Sequence, residues 1–102
     1  MDEVLKIVRN NFKGKDLSSI KEKIAIEINL KEDGVFYIEI LNGIASVMPY
    51  NYIDKDALVT ISKDNFIKLI SGKLDGVWAF TTKKLRIDGD IGKVIELTNL
   101  FK

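Results

Sequence analysis

Apolar and polar residues alternate without a break over residues 23–31, and this stretch constrains the fold more than any other. Ile24, Ile26, Ile28 and Leu30 fall on one side, and Ala25, Glu27 and Asn29 on the other, the two-residue period of a strand buried on one face. Asp33-Gly34 follows directly. Such a pair tolerates the positive φ that tight hairpins require. A second strand over residues 35–41 carries Phe36, Ile38 and Ile40 on one face. Asn42-Gly43 turns it back, and residues 44–48 form a third strand. The first half of the chain therefore contains an antiparallel meander.

Helical spacing frames these strands. Val4, Leu5, Val8 and Phe12 recur at three- and four-residue steps, which predicts an amphipathic helix over residues 2–12, capped by Asp2 and stopped at Gly14. Residues 16–23 are expected to make a short helical turn with Leu17 and Ile20 inward. Residues 49–56 read as a loop, and residues 57–61 as a fourth strand with Ala57, Val59 and Ile61 on its core face. Ser62 suits an N-cap for a helix that ends at Gly72. Residues 74–80 suggest one or two helical turns with Leu74, Val77 and Trp78 on one side. Residues 85–88 are a fifth strand broken by Gly89, and Asp90 caps a last helix carrying Ile91, Val94, Ile95, Leu97, Leu100 and Phe101. One α+β domain over residues 1–102 accounts for this order: a single five-stranded, mostly antiparallel sheet with helices packed on one face.

Composition narrows the chemistry. The 102 residues hold neither Cys nor His, which removes disulfides, thiolate nucleophiles, Cys-ligated zinc, the Ser-His triad and the commonest general base. Lys and Arg total 16 against 15 Asp and Glu, a balance that argues against a nucleic-acid-binding protein. No run of 18 apolar residues exists to span a bilayer, and the acidic start Met1-Asp2-Glu3 does not resemble a signal peptide. The expectation is a cytoplasmic protein without enzymatic activity, cofactor or metal.

The second half carries a family resemblance. The stretches Ala57-Leu58-Val59-Thr60-Ile61-Ser62, Asp64-Asn65-Phe66 and Leu69-Ile70-Ser71-Gly72-Lys73-Leu74 resemble the sterol carrier protein type 2 domain family. That family shows an Ala-rich strand, a Ser or Thr cap, an acidic start before Phe, and a Ser-Gly-Lys-Leu helix end. Ala79-Phe80, Lys84-Leu85-Arg86-Ile87-Asp88-Gly89-Asp90 and Ile95-Glu96-Leu97 are similar to its next blocks. The resemblance implies a five-stranded sheet with helices on one face, and between them an apolar tunnel for sterols, fatty acids, acyl-CoA or phospholipids, with binding and transfer as the activity. Two departures stand out. Lys83 occupies a position where the family usually has Gly, and if the backbone there needs positive φ it costs about 1 kcal/mol. The tail after the last helix is short, which implies a tunnel mouth that is open or closed by a partner subunit.

Candidate site residues are Phe66, Ile70, Leu74, Val77, Trp78, Phe80, Ile91, Ile95, Leu97, Leu100 and Phe101. Each taken singly is accounted for by core packing. As a group they spread over more than half of the last helix and crowd residues 74–80, as the lining of an apolar pocket would. A homodimer or partner interface explains the same surplus without a cavity. Glu39, Asp54, Asp56, Asp88 and Asp90 are the carboxylates open to an acid–base or hard-metal reading, but a turn followed by a helix cap explains Asp88-Gly89-Asp90 more simply. Lys73, Lys83, Lys84 and Arg86 are placed to meet an anionic headgroup, a CoA phosphate or, transiently, a membrane surface, unless they are simply solvated. The functional expectation is an intracellular lipid-binding or lipid-transfer module. It would hold an acyl chain or other apolar ligand between sheet and helices, with loosening of the last helix as its gate. The alternative is a non-catalytic interaction module of the same fold.

Overall fold

The computed structural model describes residues 1–101. Its elements follow in the order α1 (Asp2–Phe12), β1 (Ile24–Leu30), β2 (Gly34–Leu41), β3 (Ile44–Met48), β4 (Ala57–Ile61), α2 (Lys63–Ile70), α3 (Gly76–Thr81), β5 (Leu85–Gly89) and α4 (Ile91–Leu100). The five strands form one sheet in the order β3-β2-β1-β4-β5. Every neighbouring pair is antiparallel except β1 with β4, which run parallel with Ile28 beside Val59.

Strand parity sets which side chains meet the helices. Ile24, Ile26, Ile28 and Leu30 of β1, Phe36, Ile38 and Ile40 of β2, and Val59 and Ile61 of β4 are all buried in one cluster with Val4, Val8, Phe66, Ile70, Leu97 and Phe101. Phe66 sits edge-on between Phe36 and Phe101, with centroids 5.6 and 6.2 Å away. The helices thus share one face of the sheet, as the sequence pattern predicts.

The opposite face differs from the expectation for β1. Ala25 and Glu27 are buried as deeply as their apolar neighbours, at 0% and 4% exposure. The loop of residues 49–56 folds back over them. Glu27 accepts hydrogen bonds from the Tyr52 backbone N–H (2.8 Å) and the Asn51 side-chain amide (3.4 Å), and pairs with Lys55 at 3.4 Å. β1 is therefore covered on both sides. Further out on the same face, Leu41, Ile44 and Met48 stay exposed.

Three smaller corrections concern helices. Residues 16–23 make turns rather than a helix, although Leu17 is buried. Met1, not Asp2, occupies the N-cap of α1, with Asp2 and Glu3 in the first turn, where negative charge complements the helix dipole. α3 begins only at Gly76, capped by the Asp75 carboxylate, which accepts from the Trp78 N–H at 2.9 Å. No helix among the described residues is long and apolar enough to cross a membrane.

Candidate functional site

The seam between the sheet and the pair α2 and α4 is the most apolar region of the molecule. Ile26, Ile28, Val59, Leu85, Phe66, Leu69, Val94, Leu97 and Phe101 surround a gap of about 10 Å³, with Thr98 as their one polar companion. The Thr98 hydroxyl donates to the Ile95 carbonyl at 2.9 Å, so it leaves no polar demand in the seam. A gap this small is at the limit of holding a single water. In this conformation the helices are seated on the sheet.

Beside the seam, between the end of α3 and the outer edge of β5, lies an open groove of about 650 Å³. Its apolar floor is Phe80, Leu85 and Ile87, and Lys31, Lys83 and Arg86 stand around it with Thr81. No carboxylate lines it among the described residues. Leu85 lines both spaces, so the open groove adjoins the closed seam at this side chain. β5 makes this possible: Leu85 and Ile87 pair with Ile61 and Val59 of β4, and alternation turns both toward the helices.

The structure distributes the eleven expected site residues over five environments. Phe66, Leu97 and Phe101 surround the gap, and Ile70 and Leu74 are buried nearby in the core. Phe80 floors the groove, while Ile95 and Leu100 are half-buried. Val77, Trp78 and Ile91 are 53%, 52% and 43% exposed and take no part in the seam. α3 turns its small residues Gly76 and Ala79 inward, because α4 comes so close that a Cβ on Gly76 would lie 2.4 Å from the Thr98 hydroxyl. Val77 and Trp78 are left outside. Leu69, Val94 and Thr98 in the seam and Lys31, Thr81, Leu85 and Ile87 at the groove were not singled out from the sequence. The parity of β5 was the signal that pointed to the last two.

Polar side chains gather on the other face, and their geometry argues against chemistry. Lys23 donates to the Tyr52 phenol oxygen at 3.2 Å, the phenol donates to Glu39, and the Tyr37 ring stands edge-on at 4.9 Å. A Tyr–Lys pair acts as a base when the phenol is easily ionised. Here the bond to Glu39 pushes the phenol above its ordinary value of 10.0, and the bond to Tyr52 pushes Lys23 up as well. Both partners keep their protons at neutral pH, so the cluster is a clasp. The remaining carboxylates are dispersed. Asp56 accepts from the Ala25 N–H and from Lys93, Asp88 pairs with Arg86, and Asp90 caps α4 through the Lys93 N–H. No acidic cluster able to hold a metal ion occurs among the described residues.

A five-stranded mixed sheet, helices on one face and an apolar seam under the last helix define an α+β domain whose helices are seated on one side of the sheet. Residues 2–102 match the SCP-2 sterol transfer family, and the chain belongs to it. It is 25% identical over 102 residues to hydroxysteroid dehydrogenase-like protein 2 of Mus musculus, covering 99% of this chain and 21% of that protein. To sterol carrier protein 2 of Homo sapiens it is 30% identical over 69 residues, covering 68% of this chain and 13% of the relative. The chain thus spans only 21% and 13% of the length of these two relatives. The solution structure of sterol carrier protein 2 from Aedes aegypti in complex with palmitate superposes with a TM-score of 0.70 at 16% identity, over 98% of this chain and 92% of that one. At that identity the likeness is one of fold.

Proposed function

We propose that this chain is a non-catalytic lipid carrier that takes an anionic acyl lipid, a fatty acid or acyl-CoA, with its chain passing from the groove over Leu85 into the seam. The observation that carries the reading is that Leu85 lines both spaces, so the groove and the seam adjoin. The groove volume lies within the range of small-molecule sites. The seam offers hydrocarbon once α4 lifts, and Lys31, Lys83 and Arg86 offer positive charge to a carboxylate or phosphate at the open end. Membership of a sterol transfer family and a palmitate-bound structural neighbour agree with it. Each buried methylene contributes roughly 0.8 kcal/mol, so ten contribute about 8 kcal/mol before parting the seam and association are counted. Affinity in the micromolar range or weaker follows.

The test is native mass spectrometry of the purified protein, together with displacement of a fluorescent fatty acid. Retained lipid and saturable binding are expected. Thr81→Trp, which fills the groove from an exposed position, should weaken binding at least tenfold without lowering stability. A protein that excludes fatty acids and acyl-CoA, and sediments as a tight dimer, would instead be the interaction module of the same fold.

A further inference from the structure

α3 turns Val77 and Trp78 to solvent and hides its small residues, while its third large apolar side chain, Phe80, packs half-buried against the core. Val77 and Trp78 are each more than half exposed, while Gly76 and Ala79 pack inward. The polar groups next to them are already satisfied. The Thr81 hydroxyl donates to the Val77 carbonyl at 2.9 Å, and the Thr82 hydroxyl to the Trp78 carbonyl at 2.7 Å, so withdrawing this end of the helix from water leaves no hydroxyl without a partner. Lys84 lies over the Trp78 ring, 5.6 Å from its centroid.

Charge gathers at the same place. From residue 73 to 88 the sequence holds the cations Lys73, Lys83, Lys84 and Arg86 and the carboxylates Asp75 and Asp88, the last paired with Arg86 at 3.5 Å, in a chain whose overall charge is +1. Lys31 joins Lys83 and Arg86 around the neighbouring groove. The exposed tip of the molecule is therefore an aromatic and an aliphatic side chain set among lysines. Trp is favoured where one part of a side chain meets hydrocarbon and another meets water, and clustered lysines are drawn to anionic lipid headgroups. α1, which carries a clear apolar stripe, has no such surface. Val4, Leu5, Val8 and Phe12 are all buried against the domain.

We propose that the α3 tip docks this protein on anionic phospholipid bilayers, with Val77 and Trp78 entering the interface and Lys83 and Lys84 meeting the headgroups. The docking does not require that the groove carry a cargo. In the docked pose the groove beside α3 opens next to the membrane.

Trp78 is the only tryptophan, so its emission reports on this tip alone. With vesicles of equimolar phosphatidylcholine and phosphatidylglycerol, the emission should shift to the blue and the protein should float with the vesicles, reversibly on raising salt. Pure phosphatidylcholine should give neither effect. K83Q/K84Q, which keeps the reporter, should lower the partition coefficient roughly tenfold or more. Val77→Ser, at an exposed position, should lower it severalfold without shifting the thermal midpoint. Equal binding to neutral and anionic vesicles overturns the proposal. So does flotation with no change at Trp78, or flotation unaltered by both variants. Retained lipid is a separate measurement, so a carrier that ignores vesicles refutes the docking and leaves the carrier reading intact.

Discussion

Lys83 holds a left-handed backbone, φ 63°, in a motif that occurs twice in succession. At the end of α2 the Lys73 N–H donates to the Lys68 carbonyl and the Gly72 N–H to the Leu69 carbonyl, with Gly72 at φ 79°. At the end of α3 the Lys84 N–H donates to the Ala79 carbonyl and the Lys83 N–H to the Phe80 carbonyl. These are the same two closing bonds, and the left-handed residue is ordinarily glycine. The chain thus contains its own control: glycine where nothing else is asked, lysine beside the groove. The positive φ raised as a condition by the family comparison is present, and its cost is borne where the side chain reaches a cationic rim. Lys83→Gly is expected to stabilise the fold by roughly 0.5–1 kcal/mol and raise the midpoint of thermal unfolding by a few degrees. It should weaken fatty-acid and anionic-vesicle binding at the same time. Added stability with undiminished binding would show that the lysine serves nothing at the groove.

At the scale of elements, the short strand β5 depends on one close approach. Gly89, at φ 128°, stands opposite Ala57 at the end of β5. A Cβ there would lie 2.4 Å from the Asp56 carbonyl oxygen and 2.7 Å from the Ala57 Cα, and that same carbonyl accepts from the Asp90 N–H at 3.0 Å. Gly89→Ala should therefore cost about 2–4 kcal/mol through clash and backbone strain together, read as a lower denaturation midpoint. A variant as stable as the parent would mean that β5 does not pack this tightly. The sequence marked Gly89 only as a strand breaker, and the difference shows where local pattern stops. Alternation in β1, β2 and β4 and the caps Ser62 and Asp90 are properties of a few consecutive residues, and they were legible. The parallel pairing of β1 with β4 and the burial of Glu27 under Tyr52 join residues some 25 or more positions apart, and no short-range period carries that. The seam was half legible for the same reason. Phe66, Leu97 and Phe101 follow from helical spacing, whereas the outward turn of Val77 and Trp78 follows from how closely Thr98 approaches Gly76.

For the whole molecule, the question is what holds the last helix on the sheet. Two side chains from the first helix and the turn after it reach its end. The Asn11 amide donates to the Ile70 carbonyl (3.2 Å) and the Phe101 carbonyl (3.3 Å), joining the ends of α2 and α4. Lys15 donates to the Asn11 side-chain Oδ1 at 2.6 Å and to the Leu100 backbone carbonyl, and burial lowers its affinity for protons below the ordinary 10.5. The carbonyls at a helix end have no partner within the helix, so this latch satisfies them while Phe101 packs on Phe12 and Phe66. On the proposed carrier reading, lifting the end of α4 to admit an acyl chain would break these bonds, while Lys93, bonded to the Lys23 carbonyl (3.1 Å) and to Asp56 (3.2 Å), ties down its first turn. Asn11→Ala removes two of them and leaves Lys15 without its side-chain acceptor, a loss of about 1–2 kcal/mol. If α4 opens as a local unit, its last-turn amides should exchange with solvent about tenfold faster or more, while those of β1 keep the protection of global unfolding. Release of a bound fluorescent fatty acid should quicken by a similar factor. Faster exchange confined to α4 together with faster release assigns the latch to the gate. Exchange that rises equally in β1 and α4 means that Asn11 supports the fold as a whole, and the route for an acyl chain then lies elsewhere than under the last helix.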